Sequence, residues 1–519
     1  MSEFEPYRPE PYSDFTDPAR KAAYDLALAG VRSRFGAEYG LVIDGEWSET
    51  GTTIESLNPA RPAEVVGVVA AGGVAEAERA LQAAWAAFPA WAARPAVERA
   101  RIGVRLAAIM RRNKYELAAI ETYEAGKNWL EAEADVAEAI DFVDYYARQA
   151  ERLAEPLEIV PVPGEENESH LIPIGAGVVI PPWNFPGAIL IGMAMGPVLA
   201  GNTIVIKPAS NTPVIGARWM EMVADAGVPP GVINYVPGAG STIGDHLVDH
   251  PLTRFVNFTG SKEIGLRIAE RSARIAPGQK WLKRAFLEMG GKDAMIVDET
   301  ADLKAAAADA VRSAFGFQGQ KCSAASRLIL VSDIHDEVLD AVVAAAGALQ
   351  IGPPEENRAV GPVISAAQHR SILGEIEKGR SEGRLVLGGS AVDRDGGWYL
   401  QPTIFADVDP KARLAQHEIF GPVLSVLRAR DFEHALEIAN GTEFGLTGGL
   451  YSRDRSRLER ARHEFHVGNL YLNRKITGAL VGVQPFGGFN MSGTNSKAGG
   501  PDYLRLFMQM KTVAERQVT

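Results

Sequence analysis

Between residues 177 and 273 the chain repeats one pattern, a short unbroken apolar run followed by a helical stretch. Few folds accept it. The runs are Gly177-Val178-Val179-Ile180, Thr203-Ile204-Val205-Ile206, Val232-Ile233-Asn234-Tyr235-Val236 and Phe255-Val256-Asn257-Phe258. Residues 188–200, 213–226 and 262–273 carry the helical signal between and after them. Strands that show no in–out alternation are covered on both faces, and strands separated by helices pair in parallel. The expected class is therefore α/β, with helices on both sides of a parallel sheet. Ligands in such sheets sit at the carboxyl ends of the strands. A second block of the same kind runs from about 288 to 483, with strands expected at 294–297, 327–331, 384–387 and 423–428. Helices are expected there at 303–315, 334–346, 366–382 and 432–440.

Ahead of these blocks, residues 1–36 read as an arm and a short helix over 18–35. Residues 41–47 read as a strand with an Asp-Gly turn. Residues 73–154 are helical, with breaks expected at Pro89, Pro95 and Gly126. Residues 155–171 carry prolines and a charged turn and read as a projecting hairpin. Beyond 485 come a glycine-rich start, a short helix over 501–507 and a polar strand.

Composition sets the boundaries of function. The net charge of −12 disfavours nucleic acid or an anionic membrane as partner. The longest apolar stretch, residues 187–200, is interrupted by Gly192, Gly196 and Pro197, whereas a membrane span takes about 20 residues. The N-terminus has neither the apolar core of a signal peptide nor the arginine-rich character of a transit peptide. A single cysteine in 519 residues suits a reducing compartment, so a cytoplasmic location is expected.

That cysteine, Cys322, lies in Gly319-Gln320-Lys321-Cys322-Ser323-Ala324. Its polar neighbours and the charge of Lys321 favour a reactive thiolate. A small buried hydrophobe is the competing reading, and local composition leaves the two level. Thr259-Gly260-Ser261 joins a strand to a helix, where free amides and the helix dipole suit a phosphate. Gly238-Ala239-Gly240-Ser241-Thr242-Ile243-Gly244 is a second glycine-rich turn that only partly fits the dinucleotide fingerprint. Glu288 stands beside glycines that let another group approach. Asn184 is held in the rigid Pro181-Pro182-Trp183-Asn184-Phe185-Pro186 loop, where a well-packed loop and a placed amide donor are equally good readings.

Taken together, these segments resemble the aldehyde dehydrogenase superfamily over essentially the whole chain. The resemblance rests on PPWNFP at 181–186, KPAS at 207–210, FTGSKEIG at 258–265, LEMGGK at 287–292, GQKCSA at 319–324, EIFGPV at 418–423 and PFGGFNMSG at 485–493, in the family's order. It implies two parallel-sheet Rossmann-like domains plus a small β-flap for oligomerisation. Residues 1–154 and 172–287 would bind NAD, 288–484 would be catalytic, and 155–171 with 485–519 would form the flap and tail of at least a homodimer. Cys322 would attack the aldehyde to give a thiohemiacetal, with Asn184 and the Cys322 amide as oxyanion hole. Hydride would pass to the nicotinamide, leaving a thioester, and Glu288 would activate the water that hydrolyses it. The cofactor would be held by Ile180, Pro181, Trp183, Lys207, Ser210, Gly240, Gly244, Thr259, Gly260, Ser261, Met289, Gly290, Glu418 and Phe420. The resemblance also implies that Lys321 is at most a tuning residue. No metal is implied.

Two features of the resemblance bear on specificity. Many NAD-preferring members carry glutamate where this chain has Ser210; a hydroxyl does not repel the 2′-phosphate, so NAD use with tolerance of NADP is expected. Ser323, Gly478 and Ala479, with SGTNSKAGGPDYL at 492–504, resemble the branch acting on L-glutamate γ-semialdehyde. There the serine and two backbone amides hold the substrate's α-carboxylate. Phe185 and Phe486 would flank its aliphatic part, and Glu138 would face its amino group. The alternatives are a related semialdehyde or aliphatic aldehyde dehydrogenase, or a family member without catalysis. No proline-oxidising block precedes these motifs, so any enzyme supplying the substrate is expected to be a separate protein.

Overall fold

The computed structural model describes residues 4–516. Two seven-stranded sheets dominate it. The first runs Arg284–Glu288, Phe255–Thr259, Ala176–Ile180, Thr203–Ile206, Ile233–Tyr235, Leu41–Ile43, Glu46–Ser48. Its first five strands are parallel. The last two form a hairpin turned by Asp44 and Gly45, both at positive φ as such a turn requires. Ala176–Ile180 and Thr203–Ile206 are buried at every position, which is why they show no alternation. Their successive side chains serve two cores. Val179, Ile204 and Ile206 pack with helices Ala188–Leu199 and Val214–Asp225, while Val178, Ile180 and Val205 pack with helices Val74–Ala93 and Lys262–Ser272.

The second sheet runs Arg384–Leu387, Thr403–Ala406, Val423–Ala429, Ala325–Val331, Asp293–Val297, Thr447–Tyr451, Asn469–Leu472 and is parallel except for its first strand. It too has a core on each face. A three-stranded sheet of Ala37–Tyr39, Val65–Ala70 and Thr53–Leu57 was not foreseen.

Three expectations need correction. Pro89 does not break its helix, which continues from Val74 to Ala93. An internal proline costs a helix about 3 kcal/mol. Packing on both sides offsets that: Trp85 stacks on Trp281 and donates to the Leu252 carbonyl, and Trp91 donates to the Val198 carbonyl. Residues 155–171 form the expected hairpin only in part: Glu165 N–H donates to the Val162 carbonyl at 3.3 Å across the turn and Leu157 N–H to the Ser169 carbonyl at 3.0 Å, but only one arm is a regular strand. That arm, Glu165–Pro173, pairs along its length antiparallel with Met508–Arg516 from the far end of the chain, which satisfies backbone groups the short local pairing leaves open. Finally, Glu288 closes the edge strand of the first sheet and Asp293 opens the second, so the passage between sheets lies a few residues beyond the expected one.

In the first sheet the chain order reverses between Ala176–Ile180 and Phe255–Thr259, since the strands at 203–206 and 233–235 lie to one side and those at 255–259 and 284–288 to the other. Such a switch point leaves a crevice at the strands' carboxyl ends.

Candidate active site

Helix Leu303–Phe315 gives way to a short 3-10 segment, Gly316–Gly319, ahead of strand Ala325–Val331. Phe317 and Gln318 within it sit in the left-handed region, at φ 48° and 56°. Non-glycine residues there cost on the order of 1–3 kcal/mol each, so the surroundings must hold them. The Gln318 amide donates to the Pro362 carbonyl at 2.8 Å, Ile364 N–H donates to Gln320 Oε1 at 2.9 Å, and Phe317 is buried. This turn delivers Cys322 to the wall of a cavity of about 640 Å³.

The same cavity is lined by Ser323, Glu288, Met289, Phe185, Phe486, Glu138, Gly478, Ala479 and Thr259. Residues distant in sequence and drawn from both sheets therefore line one cavity with the thiol. Gly478 has φ 76° and stands in a loop whose Gly478 and Ala479 amides have no hydrogen-bond partner among the described residues. Asn184 is buried beside the thiol's own turn, and its Nδ2 donates to the Gln320 carbonyl at 3.0 Å, which leaves its second N–H unspent.

The electrostatics correct one expectation. Lys321 does not favour a thiolate at Cys322, because its ammonium is bound by both oxygens of Glu131, at 2.6 and 2.8 Å. Burial, then the charges of Asp293, Glu418 and Glu288, push the Cys322 thiol well above the usual range. Burial likewise raises Glu288 to about 7. Its carboxylate accepts from Ser496 Oγ at 2.6 Å, Ser496 N–H at 3.0 Å and Gly488 N–H at 3.2 Å, all of which favour the charged form. Glu138 is raised to about 8 by burial and by Asp135.

The other predicted residues line up along the carboxyl ends of the first sheet. Ile180 and Thr259 end neighbouring strands at the switch point, paired through Ile180 and Phe258. Pro181 and Trp183 follow Ile180, and Lys207 and exposed Ser210 follow Thr203–Ile206. Gly240 and Gly244 bound the turn after Ile233–Tyr235. Lys207 Nζ, lowered to about 8 by burial, bonds to the Pro208 and Gly238 carbonyls. Trp183 meets Phe420 edge-on at 5.5 Å, bridging the two sheets' loops. Glu418 accepts from Gly291 N–H at 3.0 Å and lies so close over Gly290 that a Cβ there would collide with its carboxylate. The expected free amides at 259–261 need correcting in one respect: Gly260 N–H donates to the Glu288 carbonyl at 3.0 Å, while Ser261 caps the following helix.

This crevice fits a dinucleotide. Nothing lies within 4 Å of where a Cβ would stand on Gly240 or Gly244, and Lys207 has no carboxylate partner among the described residues.

The sequence matches the model for the aldehyde dehydrogenase family over residues 47–513. The chain belongs to that family. It is 55% identical over 512 residues to 1-pyrroline-5-carboxylate dehydrogenase of Geobacillus kaustophilus, covering 98% of this chain and 99% of the relative. The enzyme of that name from Bacillus subtilis is 52% identical over 510 residues, with the same coverage. Among solved structures, 1-pyrroline-5-carboxylate dehydrogenase from Thermus with bound NAD superposes with a TM-score of 0.99 at 58% identity, covering 99% of this chain and all of the other.

Around the aldehyde dehydrogenase core, several residues escaped sequence reasoning. Ser496 and Gly488 clamp Glu288, and Lys497, bonded to the Gly468 and Gly487 carbonyls, adds positive charge nearby. Phe142, Asn257 and Tyr12 also line the cavity. Ser496 and Gly488 lay within quoted motifs, but no spacing rule connects them to a carboxylate some two hundred residues earlier.

Proposed function

We propose that this chain oxidises L-glutamate γ-semialdehyde, formed from 1-pyrroline-5-carboxylate, to L-glutamate with NAD, as a step of proline breakdown. The observation that carries the proposal is the shared cavity. A thiol, a carboxylate raised to about 7, Ser323, and the Gly478 and Ala479 loop with its two unpartnered amides line one cavity. The thiol adds to the aldehyde carbon. Asn184 and the Cys322 amide receive the oxyanion, where preorganised donors are worth most. NAD, when bound, accepts the hydride. Lys207 and the Gly240–Gly244 turn would hold its adenosine side, Thr259 and Ser261 its phosphates, and Glu418 its nicotinamide ribose, with Ile180, Pro181, Trp183, Phe420, Met289 and Gly290 as walls. Glu288, as carboxylate, takes a proton from the water that opens the thioester. Ser323 with the Gly478 and Ala479 amides takes the α-carboxylate, Glu138 the amino group, and Phe185 and Phe486 the methylenes.

Burial and the charges of Asp293, Glu418 and Glu288 favour the protonated thiol, and Glu288, whose carboxylate bears on it, takes that proton as the sulfur adds to the aldehyde. The matching name carried by the Geobacillus and Bacillus relatives supports the substrate. The protein is read as a cytoplasmic homo-oligomer. Initial rates with NAD and 1-pyrroline-5-carboxylate, propanal or succinate semialdehyde test the reading. The first substrate should lead in kcat/KM by at least about tenfold; parity among the three overturns it.

A further inference from the structure

The N-terminal arm lies along the helix that walls the cavity. The Glu5 carbonyl accepts from Arg148 Nε at 2.8 Å, and the Tyr7 ring meets Tyr145 edge-on at 5.0 Å. Glu10 N–H donates to Asp141 Oδ1 at 2.7 Å. The Ser13 amide and hydroxyl donate to Glu133 Oε1 at 3.0 and 2.9 Å, and Phe15 meets Trp129 at 5.5 Å. As the arm rises from 5 to 15, its partners fall from 148 to 129, all on helix Trp129–Leu153. That helical stretch covers about 28 Å, and ten extended residues reach about 33 Å. The arm is therefore an extended strand of chain running antiparallel to the helix, tied at nearly every turn.

A second set of bonds fixes it from the other side. The Glu10 carboxylate accepts from Arg111 at 2.7 Å and Lys114 at 3.4 Å, and the Pro11 carbonyl accepts from Lys114 at 2.8 Å. Tyr12 sits between the anchors at Pro11 and Ser13 and lines the cavity that holds Cys322. The carboxyls of Glu138, Asp141, Glu133 and Glu131 are the charged groups that bear on its phenol.

The arm also touches the loop carrying Gly478 and Ala479. Tyr7 OH donates to the Val481 carbonyl at 3.2 Å. Gly482, at φ 75°, packs so closely that a Cβ there would stand 3.1 Å from the Tyr7 ring and 3.0 Å from Tyr145.

We propose that residues 5–15 are a strap that completes the substrate cavity, with Tyr12 a specificity-determining residue at its rim and Tyr7 a positioning residue for the 477–484 loop. The strap rests on the reading of the cavity given above. Tyr12, 54% exposed, stands at the cavity's rim where the charge of Glu138 bears on its phenol, and so borders the charged end of an amino-acid aldehyde. An aldehyde without that end has nothing there to gain. Tyr7 holds the loop so that the Gly478 and Ala479 amides keep their aim.

Two measurements on full-length protein decide this. Tyr12→Ala should raise KM for 1-pyrroline-5-carboxylate about five- to tenfold, with kcat and the KM values for propanal and NAD held within about twofold. Tyr12→Phe, which keeps the wall, should restore most of the loss. An unchanged KM, or equal impairment with both aldehydes, overturns the role of Tyr12. In the second, hydrogen exchange of residues 477–484 should quicken in Tyr7→Ala; exchange equal to wild type overturns the role of Tyr7. A wild type that prefers propanal would sink the substrate assignment and with it the specificity role, while the exchange experiment would still judge the strap.

Discussion

Glu288 shows how one residue's surroundings set a reaction's pH range. Burial raises it to about 7, while Ser496, Gly488 and Lys497 pull the other way. As a base it works only as the carboxylate, so deacylation should fall as pH drops through about 7. Ser496→Ala removes a hydroxyl that stabilises the charged form. The acid limb of the kcat profile should then move upward by about one unit, since one unit is about 1.4 kcal/mol and a bond to a charged group is worth that much. A limb that stays put, or moves down, refutes the clamp. Ser210 carries the other prediction at this scale. It is exposed on the loop after Thr203–Ile206, and wild type should turn over measurably with NADP. Ser210→Glu places a carboxylate against the 2′-phosphate and should cut the NADP-to-NAD ratio of kcat/KM about tenfold or more, a loss of about 1.4 kcal/mol. A wild type inactive with NADP contradicts the assignment.

Between the elements, Lys127 joins what the chemistry needs. It is fully buried at the turn into helix Trp129–Leu153, with Glu121 Oε2 at 3.0 Å and Asp135 in direct contact. Asp135 in turn accepts from Ala188 N–H at 2.5 Å, at the start of the helix after the Asn184 loop. The ammonium lies 4.3 Å from the Phe185 ring centre and 5.0 Å from that of Phe317, so one charge pins both the Asn184 loop and the left-handed turn before Cys322. Lys127→Met leaves two buried carboxyls without their cation and should lower stability by about 3–5 kcal/mol. Adding Asp135→Asn should recover part of it. Urea denaturation measures both, and a Lys127→Met protein as stable as wild type would show that the cluster holds nothing together.

At the scale of the whole molecule, the paired strands Glu165–Pro173 and Met508–Arg516 stand out. Val160, Val162, Met510 and Val513 on and around them are exposed. A two-stranded ribbon is marginal alone, and its open edges invite a further strand. The expected outcome is at least a dimer in sedimentation velocity, and a Val513→Lys, Met510→Glu double variant should shift it toward monomer. A wild type that sediments as a monomer at micromolar concentration would remove this role from the ribbon.

Much of this was legible in the chain. Continuous apolar runs with helices between them are determined by burial on both faces, so the strand at 203–206 and the helices at 303–315 and 432–440 fell where they were expected; the strand at 384–387 did too, although it is a partly exposed edge strand. The motifs carried the family and the chemical groups. Their meeting was decided elsewhere. Pro89 stayed helical because Trp85 and Trp91 found partners far along the chain, and Lys321 lost its influence on the thiol to Glu131. Glu288 gained Ser496, and the arm's Tyr12 reached the cavity beside Cys322. Local pattern reports which face is buried and which turn is allowed. Which charge neutralises which, and which segment closes a cavity, depends on long-range packing that no local pattern encodes.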